Sequence, residues 1–323
     1  MKILITGAAG FVGSNLTEAL LERGHHVTGV DNLSYGELRN MDDFIDHKNF
    51  IFVNGDVCNY SLIENIKVDL LIHLASQKIP RYSNSLRTLE ENQSMTKNVI
   101  RKSLADDIRL LFSSTSDVYG KNPQIPFSEE SNLVLGPTNV KRWAYAVSKI
   151  YSEHLIIGNN AEHDLKYTIV RFFGSYGKNQ NLTWWGGPQS GFITKAFNNE
   201  EIEVHGTGLQ TRTFTYVKDT VQALVLCVEK EEVATNKIYN IASEAVEEVT
   251  IIDLAKTIWK LVNKNESEAK LNFIPYSTFG KYEDVMRRVP DISKIKAELG
   301  YASEYSLEQG LKETIEWQLK IIS

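Results

Sequence analysis

The chain has 323 residues, 42% hydrophobic and 24% charged, ordinary values for a globular protein of one large or two modest domains. A formal charge of −6 without any long basic run argues against a nucleic-acid surface. Cys58 and Cys227 are the only cysteines, no apolar run reaches membrane-spanning length, and Thr6-Gly7 follows Met1 too closely for a signal peptide, so a cytoplasmic protein without a disulfide framework or membrane contact is expected.

Short apolar, often β-branched runs recur through the first half. They are Ile3-Leu4-Ile5, Val27-Thr28-Gly29-Val30, Phe50-Ile51-Phe52-Val53, Leu70-Leu71-Ile72, Leu110-Leu111-Phe112 and Thr168-Ile169-Val170. Continuous apolar strands of this kind predict a parallel sheet covered on both faces. Between the first two, Val12, Leu16, Ala19, Leu20 and Arg23 keep helical spacing, and Gly24 is a stop signal. Repeated βα units predict an α/β fold with a doubly wound sheet over residues 1–175. Beyond it, helical patterns run near 191–199, 219–230, 250–263 and 305–320, after a glycine-rich stretch holding Trp184 and Trp185. Residues 176–211 and 244–323 are read as a smaller mixed α/β carboxy-terminal substrate lobe, with a segment near 212–243 returning to the sheet.

The first strand runs through Gly7, Gly10 and Gly13 directly into a helix, with Phe11 and Val12 between the last two glycines. Glycines there permit a tight turn and close approach of the backbone to a pyrophosphate, while the helix start offers free N–H groups to it. Asp31 ends the second strand, where an acid accepts both ribose hydroxyls of NAD and repels the 2′-phosphate of NADP; Asn32 follows it. The plain alternative is a glycine turn followed by an exposed aspartate. NAD is the expected cofactor.

Tyr145 and Lys149 are four residues apart, so a helix sets a phenol and an ammonium on one face. A neighbouring cation favours the phenolate and lowers its pKa, making an acid/base for a sugar hydroxyl. Alone, such a pair is expected about once by chance in a chain of this composition.

Together these motifs resemble the extended short-chain dehydrogenase/reductases, specifically the NAD-dependent nucleotide-sugar epimerase/dehydratase family, over nearly the whole length. The resemblance implies a Rossmann-type sheet, a nucleotide-diphosphate sugar substrate, a UDP-sugar favoured, and a homodimer. It adds Gly55-Asp56-Val57 at the adenine, His73-Leu74-Ala75-Ser76 beside the cofactor, Lys78 and Asn92 near the nicotinamide ribose and pyrophosphate, and Phe172 in the Arg-aromatic-aromatic stretch. Ser113 to Gly120 matches the segment carrying the family's Ser/Thr partner, here Thr115 with Ser116 beside it, and Arg212 matches the arginine that clamps the diphosphate. The family's usual Asn is Gly174 here, and its Gly-Pro-Arg is Gly177-Lys178-Asn179. The implied dimer helix carries apolar Ala146, Ile150 and Leu155, which could instead face the monomer's own core.

On this resemblance, Tyr145 takes the C4-hydroxyl proton, Thr115 shares it, and Lys149 holds the ribose and lowers the Tyr145 pKa. Asp117 stands where dehydratases and decarboxylases place an acid, in 4,6-dehydratases commonly Glu; a loop or helix-capping role is its plain alternative. Lys141 to Tyr145 and Tyr282 to Pro290 resemble segments of UDP-glucuronate decarboxylases, in which Arg288 would be a proton donor or, preferably, a phosphate ligand. Arg81 and Arg142 are weaker anion-binding candidates, with solvated surface charge as the alternative. Trp184 would line the sugar or base, or else anchor its loop. No His/Cys cluster has metal-ligand spacing, so no metal site is predicted. The expected activity is epimerisation by transient oxidation at C4 or through a 4-keto intermediate. A 4,6-dehydratase or UDP-glucuronate decarboxylase is the alternative, and a non-catalytic NAD-binding regulator the remote one.

Overall fold

The computed structural model describes residues 1–78, 85–183, 186–244, 248–264 and 267–323. In chain order its strands are β1 (Lys2–Thr6), β2 (His26–Asp31), β3 (Phe50–Asn54), β4 (Leu70–His73), β5 (Arg109–Thr115), β6 (Tyr167–Phe172), β7 (Ser175–Tyr176), β8 (Ile202–His205), β9 (Thr211–Arg212), β10 (Thr215–Tyr216), β11 (Lys237–Ile241), β12 (Val249–Thr250) and β13 (Leu271–Ile274). The helices are α1 (Phe11–Glu22), α2 (Ser85–Asp106), α3 (Trp143–His163), α4 (Pro188–Phe197), α5 (Val217–Glu229), α6 (Glu231–Ala234), α7 (Ile251–Asn263), α8 (Ser293–Leu299) and α9 (Leu307–Ile322).

Seven of the described strands form one sheet in the order β11-β6-β5-β4-β1-β2-β3, and every pairing in it is parallel. The two-sided burial foreseen from the apolar runs follows from strand geometry, since alternate side chains leave opposite faces. Ile3, Ile5 and Leu111 enter a core shared with α1 and α5. Leu4, Leu71, Leu110 and Phe112 enter the opposite core, under α2 and α3.

The later segments form short pairs, β7 with β10, β9 with β12 and β8 with β13, around α4, α7 and α9. Strand β11 joins β6 in the main sheet. Neither α8 nor the two-residue strands had a period long enough to read. The helical phase of α3 settles one open alternative. Ala146 is buried, and Ile150 and Leu155 pack on this chain's own core. The outward apolar residues of α3 are Val147, Tyr151 and Ile157.

Candidate active site

Strand order reverses at β1, which lies between β4 and β2, and such a switch point opens a crevice at the carboxyl ends of the strands. Gly7 has φ +78°, and a Cβ on it would stand 2.7 Å from the Ala75 nitrogen. A Cβ on Gly13 would stand 2.0 Å from the Gly7 carbonyl oxygen. Both positions therefore require glycine. Helix α1 starts at Gly10 with no side chain capping it, leaving its amide end open to an anion.

The crevice, of about 230 Å³, is lined by Gly7, Gly10, Phe11, Val12, Gly13, Asp31, Asn32, Asp56, Val57, Leu74, Ala75, Ser76, Lys78, Tyr145, Lys149 and Phe172. Asp31 accepts the Ala9 N–H at 3.0 Å and the Leu33 N–H at 2.8 Å; burial lifts its pKa and these N–H groups oppose the rise. Asn32 donates to Asp56 at 3.0 Å, tying the ends of β2 and β3 together. An open cradle of glycines and a carboxylate at the end of β2 fit an NAD with free ribose hydroxyls. Asn92 is placed elsewhere. Its amide is spent on Gln77, at 2.8 and 3.0 Å, and on Ser148 at 3.0 Å, so it clamps α2 to α3 behind the crevice.

Tyr145 lies in the first turn of α3, and Lys149 follows one turn later. The Lys149 Nζ donates to the Ser113 carbonyl at 2.8 Å and lies 6.0 Å from the centre of the Tyr145 ring. The Ser76 and Thr115 hydroxyls favour the Tyr145 phenolate. The charge pattern corrects the sequence expectation. Burial pushes the Tyr145 pKa up and the Asp117 charge adds to the rise, outweighing the two hydroxyls. Burial also pulls Lys149 down to about 7, with Glu153 opposing. The expected depression of the phenol by Lys149 is thus absent from the chain alone, because desolvation disfavours both charged forms.

Thr115 ends β5 and caps the turn Ser116–Tyr119, its Oγ1 accepting the Asp117 N–H at 3.2 Å. The cap is therefore Thr115, and the Asp117 side chain is free for other work. Its carboxylate accepts from Arg142 at 3.1 Å and pairs closely with Arg288. Burial alone would raise the Asp117 pKa, but Arg288 and Arg142 hold it far below the usual carboxylate range. Arg142 is buried, which removes the solvated-charge alternative. It bridges Asp117 to Asp284 at 3.3 Å and to the Glu283 carbonyl at 2.6 Å. Arg212 donates to Asp284 at 2.9 Å and to the Val285 carbonyl at 2.7 Å. Its pKa is lowered to about 10 by burial and by the nearby Arg288. Three arginines against two aspartates give this cluster one surplus positive charge, and it lines a cavity of about 660 Å³. The Arg288 Nε is buried with no hydrogen-bond partner among the described residues.

That cavity also meets Ser116, Thr115 and Tyr145, so the substrate-side candidates share one space with the phenol. Arg81 and Trp184 lie outside the described residues. The sequence reading gave no role to Asp284 or Tyr276, although Tyr276 donates to Asp284 at 2.5 Å and both line the cavity. Asp284 lay in the Tyr282–Pro290 resemblance, a signal that could have found it. At the departures from the family pattern, Gly174 has φ +52°. Lys178 pairs with Asp43 at 2.7 Å, and Asn179 donates to Ser14 and to the Asn40 carbonyl, both at 3.1 Å.

A glycine-turn dinucleotide crevice opening beside a Ser/Thr–Tyr–Lys constellation defines the class as a short-chain dehydrogenase/reductase. The model of the NAD dependent epimerase/dehydratase family matches residues 3–242, and the chain belongs to that family of NAD-dependent enzymes. It is 35% identical over 322 residues to a UDP-N-acetyl-alpha-D-glucosaminuronate decarboxylase of Bacillus cytotoxicus, covering 98% of this chain and 97% of that one. It is 36% identical over 318 residues to UDP-glucuronic acid decarboxylase 1 of Danio rerio, covering 98% of this chain and 72% of the relative. Among solved structures, the UDP-glucose 4-epimerase of Thermotoga maritima superposes with a TM-score of 0.87 at 28% identity, with 100% of both chains covered. The UDP-glucuronic acid 4-epimerase of Bacillus cereus, in complex with UDP-glucuronic acid and NAD, gives 0.87 at 25% identity, covering 99% of this chain and 100% of that one. Among the described residues no helix is long and apolar enough to cross a membrane.

Proposed function

We propose that this enzyme decarboxylates a nucleotide-linked uronic acid, a UDP-sugar, through a 4-keto intermediate. The observation that carries this reading is the engagement of Asp117 by Arg142 and Arg288 beside Tyr145. An ionised carboxylate held by two guanidinium groups is a poor proton-transfer group for C5. A 4,6-dehydratase or C5 epimerase needs a base at that carbon. A 4-keto uronate does not, because its ketone is β to the carboxylate and accepts the electron pair when carbon dioxide leaves. The surplus positive charge supports binding of an anionic sugar and diphosphate. The similarity to two uronate decarboxylases along nearly the whole chain supports the same reading.

In this mechanism Tyr145 accepts the C4-hydroxyl proton while Thr115 hydrogen-bonds the same oxygen. The glycine turn, Asp31, Asp56 and Lys149 would hold NAD, which when bound would accept the C4 hydride and return it. The C5–C6 bond of the ketone then breaks, its electron pair passing into the C4 oxygen as carbon dioxide departs. C5 takes up one proton, and Tyr145 returns the first proton to O4 when C4 is reduced. The net change is loss of carbon dioxide, uptake of one proton and no consumption of NAD. Arg212 and Arg288 hold phosphate and carboxylate oxygens, as planar forks suit bidentate anions.

Simple C4 epimerisation is the second reading, favoured by the overall match to the Thermotoga maritima 4-epimerase. It also needs no base at C5. Offering the purified enzyme UDP-glucuronate, UDP-N-acetylglucosaminuronate and UDP-glucose separates the readings by product mass. Loss of carbon dioxide from a uronate supports decarboxylation. Unchanged mass with inverted C4 replaces it by epimerisation, and loss of water by dehydration.

The proposal includes a cytoplasmic homodimer formed through α2 and α3. Exposed Leu86, Val147 and Tyr151 on these helices support it, as do two unpaired cysteines that suit a reducing compartment.

A further inference from the structure

Beneath Tyr145 and Lys149 lies a buried polar network that the mechanism above leaves unused. Glu153 stands one turn beyond Lys149 on α3 and is almost fully buried. Its Oε1 accepts the Ser114 hydroxyl and the Arg171 Nε at 3.1 Å, and its Oε2 accepts Arg171 Nη2 at 2.6 Å. Arg171 reaches on to the Tyr119 hydroxyl at 2.9 Å, and Tyr119 donates to Asn240 at 2.7 Å. Asn240 donates in turn to the Asp291 carbonyl at 3.0 Å, just past Arg288 in the chain. The end of β5 is thus stapled to α3 twice, by Lys149 at Ser113 and by Glu153 at Ser114, immediately before Thr115.

We propose that Glu153 is a positioning residue for the C4 oxidation: through Ser114 and Arg171 it fixes the end of β5, and with it Thr115 and the Ser113 carbonyl that holds Lys149, against Tyr145. A buried ion pair is weak evidence of net stability, so a role in geometry and charge accounts better for its presence here. The titratable groups around Lys149 are Tyr145 and Glu153 on its own helix and His73 on β4, with Lys78 and Glu91 lining the same crevice. Of these, Glu153 is the one that raises its protonation, against the effect of burial.

The inference rests on oxidation at C4, which every reading of this family shares, and not on decarboxylation. The test uses the holoenzyme with Glu153→Gln and with the charge-free pair Glu153→Gln/Arg171→Met, which keeps the measurement possible if the single variant folds poorly. In both, kcat should fall roughly ten- to hundred-fold with KM within about two-fold. The high-pH limb of the kcat profile should move to lower pH. Lysine-selective carbon labelling, with Lys149→Met to assign the signal, follows the Lys149 titration without any substrate. Its midpoint should drop in both variants. An unchanged midpoint, or recovery of wild-type kcat and pH limb in the double variant, would overturn the proposal and leave Glu153 a structural partner of Arg171.

Discussion

Asp117 and Arg288 form a close ion pair although 171 positions separate them in the chain. The contact closes the arginine-rich wall of the substrate cavity, because Arg142 shares the same carboxylate oxygen. Segment 282–290 is strapped over the cavity by Trp143 donating to Glu283 at 3.2 Å, by Thr211 bonding the Met286 carbonyl at 2.8 Å, and by Phe127 bonding the Val289 carbonyl at 2.8 Å.

Asp117→Asn tests that pair thermodynamically. Removing one partner leaves two buried guanidinium groups facing an amide, at a cost of about 3–5 kcal/mol near neutral pH. The Asp117 pKa is depressed in the folded state, so its contribution is full above the unfolded value of ~3.9 and is lost as pH falls below it. Denaturant titrations should therefore show a large gap between variant and wild type at neutral pH, narrowing below about pH 4.

Arg288→Lys keeps the charge and loses the fork. A charged hydrogen bond of about 1.5–3 kcal/mol should disappear, lowering kcat/KM for a uronate substrate by roughly ten- to hundred-fold. A neutral sugar nucleotide binding the same site should be less affected. Steady-state kinetics on the two substrates give the ratio, and equal losses would assign Arg288 to the diphosphate instead.

Tyr145→Phe removes the proton acceptor but little of the packing. Turnover should fall by ~10²–10⁴-fold while the nicotinamide released on denaturing the protein stays at the wild-type amount. Product formation by mass spectrometry and cofactor content by absorbance check the two halves.

Gly13→Ala attacks the crevice at its tightest approach. The new methyl would stand 2.0 Å from the Gly7 carbonyl, so the turn must shift, at about 1–3 kcal/mol. A lower melting temperature together with loss of bound NAD is expected, both readable on the purified protein.

Val147→Glu puts a charge on the outward face of α3, where Val147 is 43% exposed. If α2 and α3 form the dimer contact, sedimentation should show a smaller species at unchanged fold. An unaltered sedimentation profile would move the interface elsewhere.

What the sequence determined by itself was local. The glycine turn, the acid at the end of β2 and the Tyr145/Lys149 spacing each lie within one βα unit or one helical turn, where backbone geometry alone brings the groups together. The sheet and the crevice were legible for that reason. The tertiary structure decided everything that depends on burial or on distant partners. It turned Arg142 from a surface candidate into a buried bridge, moved Asn92 behind the crevice, and joined Asp117 to Arg288. It also reversed the expected shift of the Tyr145 phenol. Desolvation and the field of a carboxylate across the cavity set that shift, and neither exists until the chain has closed around them.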